Sequence, residues 1–273
     1  MPRFAANVSM LFTEAPFLDR FALAAACGFT GVECMFPYEA PAAQVGDKAA
    51  MAGVEFVLFN APPGDYAAGE RGLAALPGRK ADFRRSLDQV WPYLEFTDCK
   101  QVHVLAGVVP DDQIEAAMDA YLENLAYAAQ QFHAEGVTVL IEPINLPGYF
   151  LSLPSDAVTV LRQLDHPGVR LQYDIFHAQS REGGITDFLE ANMDLIAHIQ
   201  VAQVPGRHEP DRMGELNWRY LFDLLDAHGY EGWVGAEYAP RTQTIPGLGW
   251  AKEWGIAAPP DAGEKSKKGG TRR

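Results

Sequence analysis

The chain has 273 residues, 48 % of them apolar, with 36 acidic against 22 basic side chains and a net charge of −14. That length suits one large domain with a substantial core, and the acidity argues against a nucleic-acid surface, because nothing basic and continuous precedes the extreme C-terminus. Cys27, Cys34 and Cys99 lie far apart with no CxxC pair, which fits reduced thiols in a cytoplasmic protein; the N-terminus lacks the apolar run of a signal peptide, and no segment approaches the roughly 18 apolar residues of a membrane span.

Strand-like and helix-like segments alternate along the chain. A first strand is expected over 4–10. A helix carrying Phe17, Leu18, Phe21, Ala22 and Ala25 follows and ends before Gly28. Strands over 31–35, Glu55–Asn60 and 101–106 come next. Between the last two, 60–79 shows no clear periodicity and reads as a loop. The clearest helix lies over 111–136, where Ile114, Met118, Tyr121, Leu122, Leu125, Ala129 and Phe132 keep helical spacing. Asp111 or Asp112 is expected to cap its start and Gly136 to end it.

The second half carries four apolar runs that each end in an oxygen-bearing side chain. They are Val139-Leu140-Ile141-Glu142, Val169-Arg170-Leu171-Gln172-Tyr173-Asp174, Leu195-Ile196-Ala197-His198-Ile199-Gln200 and Trp233-Val234-Gly235-Ala236-Glu237. A late helix with Leu216, Tyr220, Leu221, Leu224 and Leu225 closes at Gly229. Eight strands alternating with helices imply a parallel sheet. A doubly wound sheet would carry a glycine-rich phosphate turn, and neither GxGxxG nor GxxxxGK[ST] occurs. The predicted fold is therefore α/β, a single (β/α)8 TIM barrel over 1–256. The stretch 257–273, rich in Ala, Pro, Gly, Lys and Arg, is expected to be a disordered tail.

In such a barrel the C-terminal ends of all strands meet on one face. Glu142, Asp174, Gln200 and Glu237 would then converge, and hard oxygen donors suit Mg²⁺ or Mn²⁺. Each glutamate ends an aliphatic strand, where an unpaired charge is costly and a shared cation removes the cost. His177, just beyond Asp174, reads as a hydrogen-bond donor to substrate or ligand. His198 shares the side of Gln200 and either orients the cluster or packs in the core; His103 reads as core. Arg207, after the seventh strand, is a candidate fork for a substrate carboxylate, and Arg71, in the mouth loop, is a second. Two glutamates on one cation suit an isomerisation. The cation chelates adjacent hydroxyl and carbonyl oxygens, one carboxylate removes the proton between them, and the other returns a proton to the neighbouring carbon. Epimerisation follows if the proton returns to the opposite face of the same carbon.

Several segments resemble the hydroxypyruvate isomerase family of xylose-isomerase-like barrels. They include Gly31-Val32-Glu33-Cys34-Met35-Phe36-Pro37-Tyr38, Ile141-Glu142-Pro143-Ile144-Asn145, Gln172-Tyr173-Asp174-Ile175-Phe176-His177 and Gly232-Trp233-Val234-Gly235-Ala236-Glu237-Tyr238, with 6–12, 67–72 and 214–217. The resemblance runs to about Trp250 and leaves the tail outside. It implies a divalent metal on Glu142, Asp174, Gln200 and Glu237, with Glu142 and Glu237 as the acid/base pair. Related sugar epimerases carry histidine where Gln200 stands; the amide oxygen is the harder donor and favours Mg²⁺ over zinc. The implied activity interconverts hydroxypyruvate and tartronate semialdehyde, so the expected partner is a small anionic hydroxy or keto acid. Members acting on 2-oxo-tetronates share the reacting unit and give the main alternative. The superfamily also holds zinc-dependent DNA-repair endonucleases, whose histidine-rich sites and basic faces this acidic chain with seven histidines does not match. A sugar-acid-binding barrel without activity is a further alternative, disfavoured because both glutamates are present. A homo-oligomer is compatible with all of these.

Overall fold

The computed structural model describes residues 2–259. Eight short strands form one closed, all-parallel barrel in sequence order: β1 (Arg3–Asn7), β2 (Gly31–Cys34), β3 (Glu55–Asn60), β4 (Gln101–His103), β5 (Thr138–Ile141), β6 (Val169–Asp174), β7 (Ile196–Val201) and β8 (Trp233–Ala236). β8 closes the ring by pairing with β1, Arg3 opposite Trp233 and Ala6 opposite Ala236. Closure leaves no exposed sheet edge. The register slips at two places, between Val32 and Glu33 and between Leu171 and Gln172. Such irregularities re-aim the side chains beside them.

The main core lies between the barrel wall and the helices. The helix Ile114–His133 turns Ala117, Tyr121, Leu125, Ala128, Ala129 and Phe132 inward, the stripe its sequence spacing requires. Each large apolar side chain so buried contributes roughly 1.5–3 kcal/mol. A second, small cluster joins Ala5, Val57, Leu58, Leu140 and Trp233. It unites residues of β1 and β5, on opposite sides of the ring, and so plugs the barrel interior. The Trp233 ring leaves room only for glycine at 31, where an added Cβ would lie 2.6 Å from it. Above this plug the interior becomes polar.

Most strands stop sooner than the sequence suggests. After Asn7 the chain turns, with Met10 and Leu11 N–H both donating to the Asn7 carbonyl. After Val104, whose N–H still donates to the Leu140 carbonyl, the chain leaves the ladder and bridges neighbouring loops at Ala106–Gly72 and Val108–Tyr149. The loop 60–79 does lie beside the strand ends, as expected. It is fastened at Gly72, whose φ of +129° suits glycine and whose added Cβ would meet the Leu105 carbonyl oxygen at 2.4 Å. Neither Asp111 nor Asp112 caps the long helix. Pro110 starts a 3₁₀ turn over Asp111–Gln113, so Gln113 occupies the cap position without a side-chain bond. A 3₁₀ turn at Met193–Leu195 likewise delays β7 by one residue. The Ala257 N–H donates to the Cys27 carbonyl, so bonding to the barrel continues past 256. The remainder of the expected tail, 260–273, falls outside the described residues.

Candidate active site

Glu142 and Glu237 follow the last residues of β5 and β8, and Asp174 and Gln200 end β6 or lie within β7, paired side by side. All four are buried at the same end of the barrel. Asp174 also caps the helix Ile175–Arg181: its Oδ1 accepts from the Phe176 N–H at 2.7 Å. That bond fixes the carboxylate and leaves Oδ2 for the cavity. Glu142, Asp174 and His177 each offer a ligand atom within 4.8 Å of the others.

Glu237 stands across a guanidinium. Arg207 Nη2 donates to Glu237 Oε2 at 2.6 Å and to Asp174 Oδ2 at 3.2 Å. The loop after β7 folds back through the Gln203–His208 bridge, and the Arg207 carbonyl accepts from the Ala239 N–H at 2.8 Å. Arg207 adopts φ +51°, a conformation costly for a non-glycine residue and often kept where function requires it. Its Nε is buried without a partner. Arg71 is placed differently. Its Nη1 donates to the Tyr66 and Glu70 carbonyls, and its guanidinium stacks 3.9 Å from the Tyr66 ring centroid. It is committed to its own loop.

Burial, with Glu237 and Asp174 close by, raises the Glu142 carboxyl well above its usual range. Glu237 is pushed up to about 8 by burial first, with Arg207 opposing and Asp174 and Glu33 adding. Three buried carboxylates thus share one guanidinium, and proton uptake relieves part of the repulsion. A divalent cation would relieve it more fully. The chemistry of the donors fits one, since carboxylate oxygens suit a hard ion and those of Asp174 and Glu237 are held by hydrogen bonds; the structure brings Glu142 and Asp174 closest together.

His177 is less suited to ligation than its distances suggest. Its Nδ1 lies 3.3 Å from the Asn145 N–H, which can only donate. Nδ1 therefore accepts, and Nε2 carries the proton, facing Asp174 Oδ2 at 3.5 Å and Glu142 Oε1 at 3.9 Å. Burial pushes this imidazole down to about 4, keeping it a neutral donor. His103 is buried, as expected of a core residue, and also borders the site, with Nδ1 3.2 Å from Asn60 Oδ1 and 3.4 Å from Glu142 Oε2.

Beneath the carboxylates lies a polar layer that the sequence reading missed. Glu33, on β2, accepts from Asn7 Nδ2 at 3.0 Å and Gln200 Nε2 at 2.7 Å, and meets His198 Nε2 at 2.7 Å. Gln200 Oε1 accepts from Gln172 Nε2 at 2.7 Å. His198 points inward and is fully buried, its side-chain bond going to Glu33 beneath the carboxylates. The available signal was a lone glutamate within an otherwise apolar, fully buried strand.

The family described as xylose isomerase-like TIM barrel matches residues 21–254. The chain belongs to that family. A 2-oxo-tetronate isomerase of Cupriavidus necator is 50 % identical over 258 residues, 93 % of this chain and 99 % of its own length. The hydroxypyruvate isomerase of Escherichia coli K12 is 42 % identical over 257 residues, covering 92 % and 98 %. A crystal structure from Brucella melitensis, described as an AP endonuclease of family 2, superposes with a TM-score of 0.91 at 44 % identity, covering 93 % and 99 %. The curated relatives are isomerases, and this chain is an isomerase of the same group.

Proposed function

We propose that the protein isomerises a short 2-oxo-3-hydroxy acid to its 2-hydroxy-3-oxo form, with Glu142 and Glu237 as the proton-transferring pair and a divalent cation, Mg²⁺ or Mn²⁺, held by Glu142, Asp174, Gln200 and Glu237. The observation that carries this reading is the placing of three buried carboxylates and one guanidinium at the strand ends of one barrel.

When bound, the cation supplies Lewis-acid polarisation of the substrate's two adjacent oxygens. The protein supplies the rest. One glutamate takes the C3 proton and the other returns a proton to C2, while the C3 hydroxyl proton passes to the C2 oxygen; two carboxyls facing one cavity suit that exchange. His177 Nε2–H donates to the developing oxyanion. Arg207 places Nη2 on Glu237 and Asp174, and the accessible part of its guanidinium, in a side chain 28 % exposed, is assigned to the substrate carboxylate. The buried floor keeps water from the reacting carbons.

Two substrates share this unit. The three-carbon case is hydroxypyruvate giving tartronate semialdehyde. The four-carbon case, 2-oxo-tetronate, is favoured by the 50 % and 45 % identities to isomerases named for it. Incubation of each acid in D₂O with metal-loaded protein separates the readings. Deuterium at C3 marks the shared step, and the larger kcat/KM names the substrate. No exchange with either acid would refute the proposal, and strand scission of an abasic duplex would move the protein toward the reaction in the Brucella protein's description. Free, buried Cys27, Cys34 and Cys99 support the accompanying proposal of a reducing, cytoplasmic setting; among the described residues no helix is long and apolar enough to cross a membrane.

A further inference from the structure

We propose that Glu33 is the positioning residue of this site: an acceptor-only hub, touching no substrate, that sets the orientation of Gln200 and Glu237. The inference deepens the functional reading above and rests on it.

Glu33 is wholly buried on β2, at the register slip after Val32 that aims it across the barrel. Three side chains from β1 and β7 converge on its carboxylate: Asn7 Nδ2, Gln200 Nε2 and His198 Nε2. An ionised carboxylate accepts and cannot donate. Each partner must therefore present nitrogen to it, and the oxygens of the two amides are forced the other way. Asn7 Oδ1 turns to the Ser9 N–H at 3.1 Å. Gln200 Oε1 turns away from Glu33, toward Gln172 Nε2. Without Glu33 only the Gln172 amide, itself free to turn over, would hold the Gln200 oxygen, the hard donor, on that side.

A second arm reaches Glu237. The same Asn7 Nδ2 that donates to Glu33 also donates to Glu237 Oε1 at 3.0 Å. Its two protons are divided between two carboxylates, so both oxygens of Glu237 are pinned, one by Asn7 and one by Arg207. The neighbouring strand leaves room for this arrangement. Gly235 sits under Glu33, and a Cβ there would lie 2.3 Å from Glu33 Oε2. His198 adds a safety margin: its Nδ1 is buried without a partner, so the ring can change tautomer at the cost of moving one orphaned position.

That last point supplies the test. Glu33→Leu removes every acceptor at similar bulk. Glu33→Gln keeps one carbonyl oxygen for the two amides, and its own N–H₂ can face His198 after a tautomer change. Mn²⁺ affinity, read by electron paramagnetic resonance, and kcat are measured for both variants alongside folding by near-ultraviolet circular dichroism. Loss of outer partners of metal ligands typically costs 10–100-fold in affinity or activity. Glu33→Leu is expected to lose Mn²⁺ affinity by roughly that factor, with Glu33→Gln rescuing most of it. A merely space-filling role would leave the two variants alike, and that result, or wild-type affinity in Glu33→Leu, overturns the proposal. Should Glu33→Leu not fold, Asn7→Ala is read instead. It removes the Asn7 bonds to Glu33, Glu237 and Ser9 but leaves the Glu33–Gln200 bond in place, so kcat is expected to fall roughly tenfold or more, with Mn²⁺ affinity falling less than in a variant that loses the Gln200 partner; unchanged kcat overturns the proposal. A wild-type protein that neither binds Mn²⁺ nor exchanges C3 deuterium would instead overturn the functional reading on which the hub rests.

Discussion

Replacing Arg207 by methionine is expected to move metal affinity and substrate affinity in opposite directions. Nη2 of Arg207 lies 2.6 Å from Glu237 Oε2 and 3.2 Å from Asp174 Oδ2, on two of the carboxylates proposed to hold the cation. The two positive groups compete for them. A hydrogen bond between charged partners contributes about 1.5–3 kcal/mol when well shielded. The Arg207 side chain is 28 % exposed and only the 2.6 Å contact is short, so the lower end applies, about 1.5 kcal/mol or tenfold. Arg207→Met keeps the apolar stem beside Phe176, whose ring lies 5.2 Å from the guanidinium, and removes the fork. Mn²⁺ affinity, by isothermal titration at pH 7, should rise roughly tenfold. KM for the acid should rise by about 10–150-fold with a smaller change in kcat, provided the fork grips the carboxylate equally in ground and transition states. A fall in Mn²⁺ affinity would refute the competition and make Arg207 a prop for its carboxylates. An unchanged KM would remove it from substrate binding.

Other outcomes follow from the same geometry. Glu237→Gln and Glu142→Gln each keep an oxygen but lose a base, so kcat should fall by about 10²–10⁴-fold while Mn²⁺ still binds; near-normal turnover in either, with metal bound, would rule out the paired-glutamate mechanism. Chelation should abolish C3 exchange, Mg²⁺ or Mn²⁺ should restore it, and cation at about 100 times its Kd should stabilise the fold by about 2.7 kcal/mol in thermal unfolding. Glu237, pushed up to about 8, binds a proton in the folded metal-free chain that the unfolded chain has released, so this stabilisation is complete below about pH 4.5 and is lost as pH rises through 8. The Tm of metal-free protein should therefore fall from about pH 5 to 8, and bound cation should remove that fall with proton release. Gly72→Ala should lower Tm measurably, because its Cβ would strike the Leu105 carbonyl at φ +129°; an unchanged Tm would show that the loop shifts freely.

The parts legible in the sequence were those fixed by local pattern. Glu142, Asp174, Gln200 and Glu237 stood out because each ends or follows a short apolar run, and a parallel barrel gathers such ends by its own topology. Strand limits were less legible, since a barrel strand ends where its neighbour's ladder ends and not where apolar residues stop. Asn7 and His103 close their strands while apolar sequence continues. Glu33 stayed hidden for a stronger reason. Its partner His198 lies 165 residues away, and the register slip that aims it depends on how β2 meets β3. Arg71 and Arg207 illustrate the same limit in loops. Both looked like anion clamps, yet Arg71 folds onto Tyr66, while the Gln203–His208 bridge carries Arg207 over the carboxylates.

An acidic enzyme for an acidic substrate poses an electrostatic question, and the layered interior answers it. The net charge of −14 is spread over the chain, and distant surface charge is screened beyond about 8 Å at physiological salt. What the substrate meets is local. Below it, three donors converge on the Glu33 carboxylate, yet its charge still reaches upward and adds to the proton affinity of Glu142 and Glu237. At its own level, the carboxylates of Glu142, Asp174 and Glu237 are balanced by Arg207 and, on the reading developed here, by a divalent cation. Two positive charges from the ion and one from Arg207 against three carboxylates bring the cavity to neutrality before the acid enters. The acid then adds one negative charge, which proton uptake by Glu142 or Glu237 can cancel. Burial raises the proton affinity of both carboxyls in the absence of the cation, and the incoming negative charge acts in the same direction. The property that makes them costly in the barrel is therefore the one that lets them carry a proton from one carbon to the next.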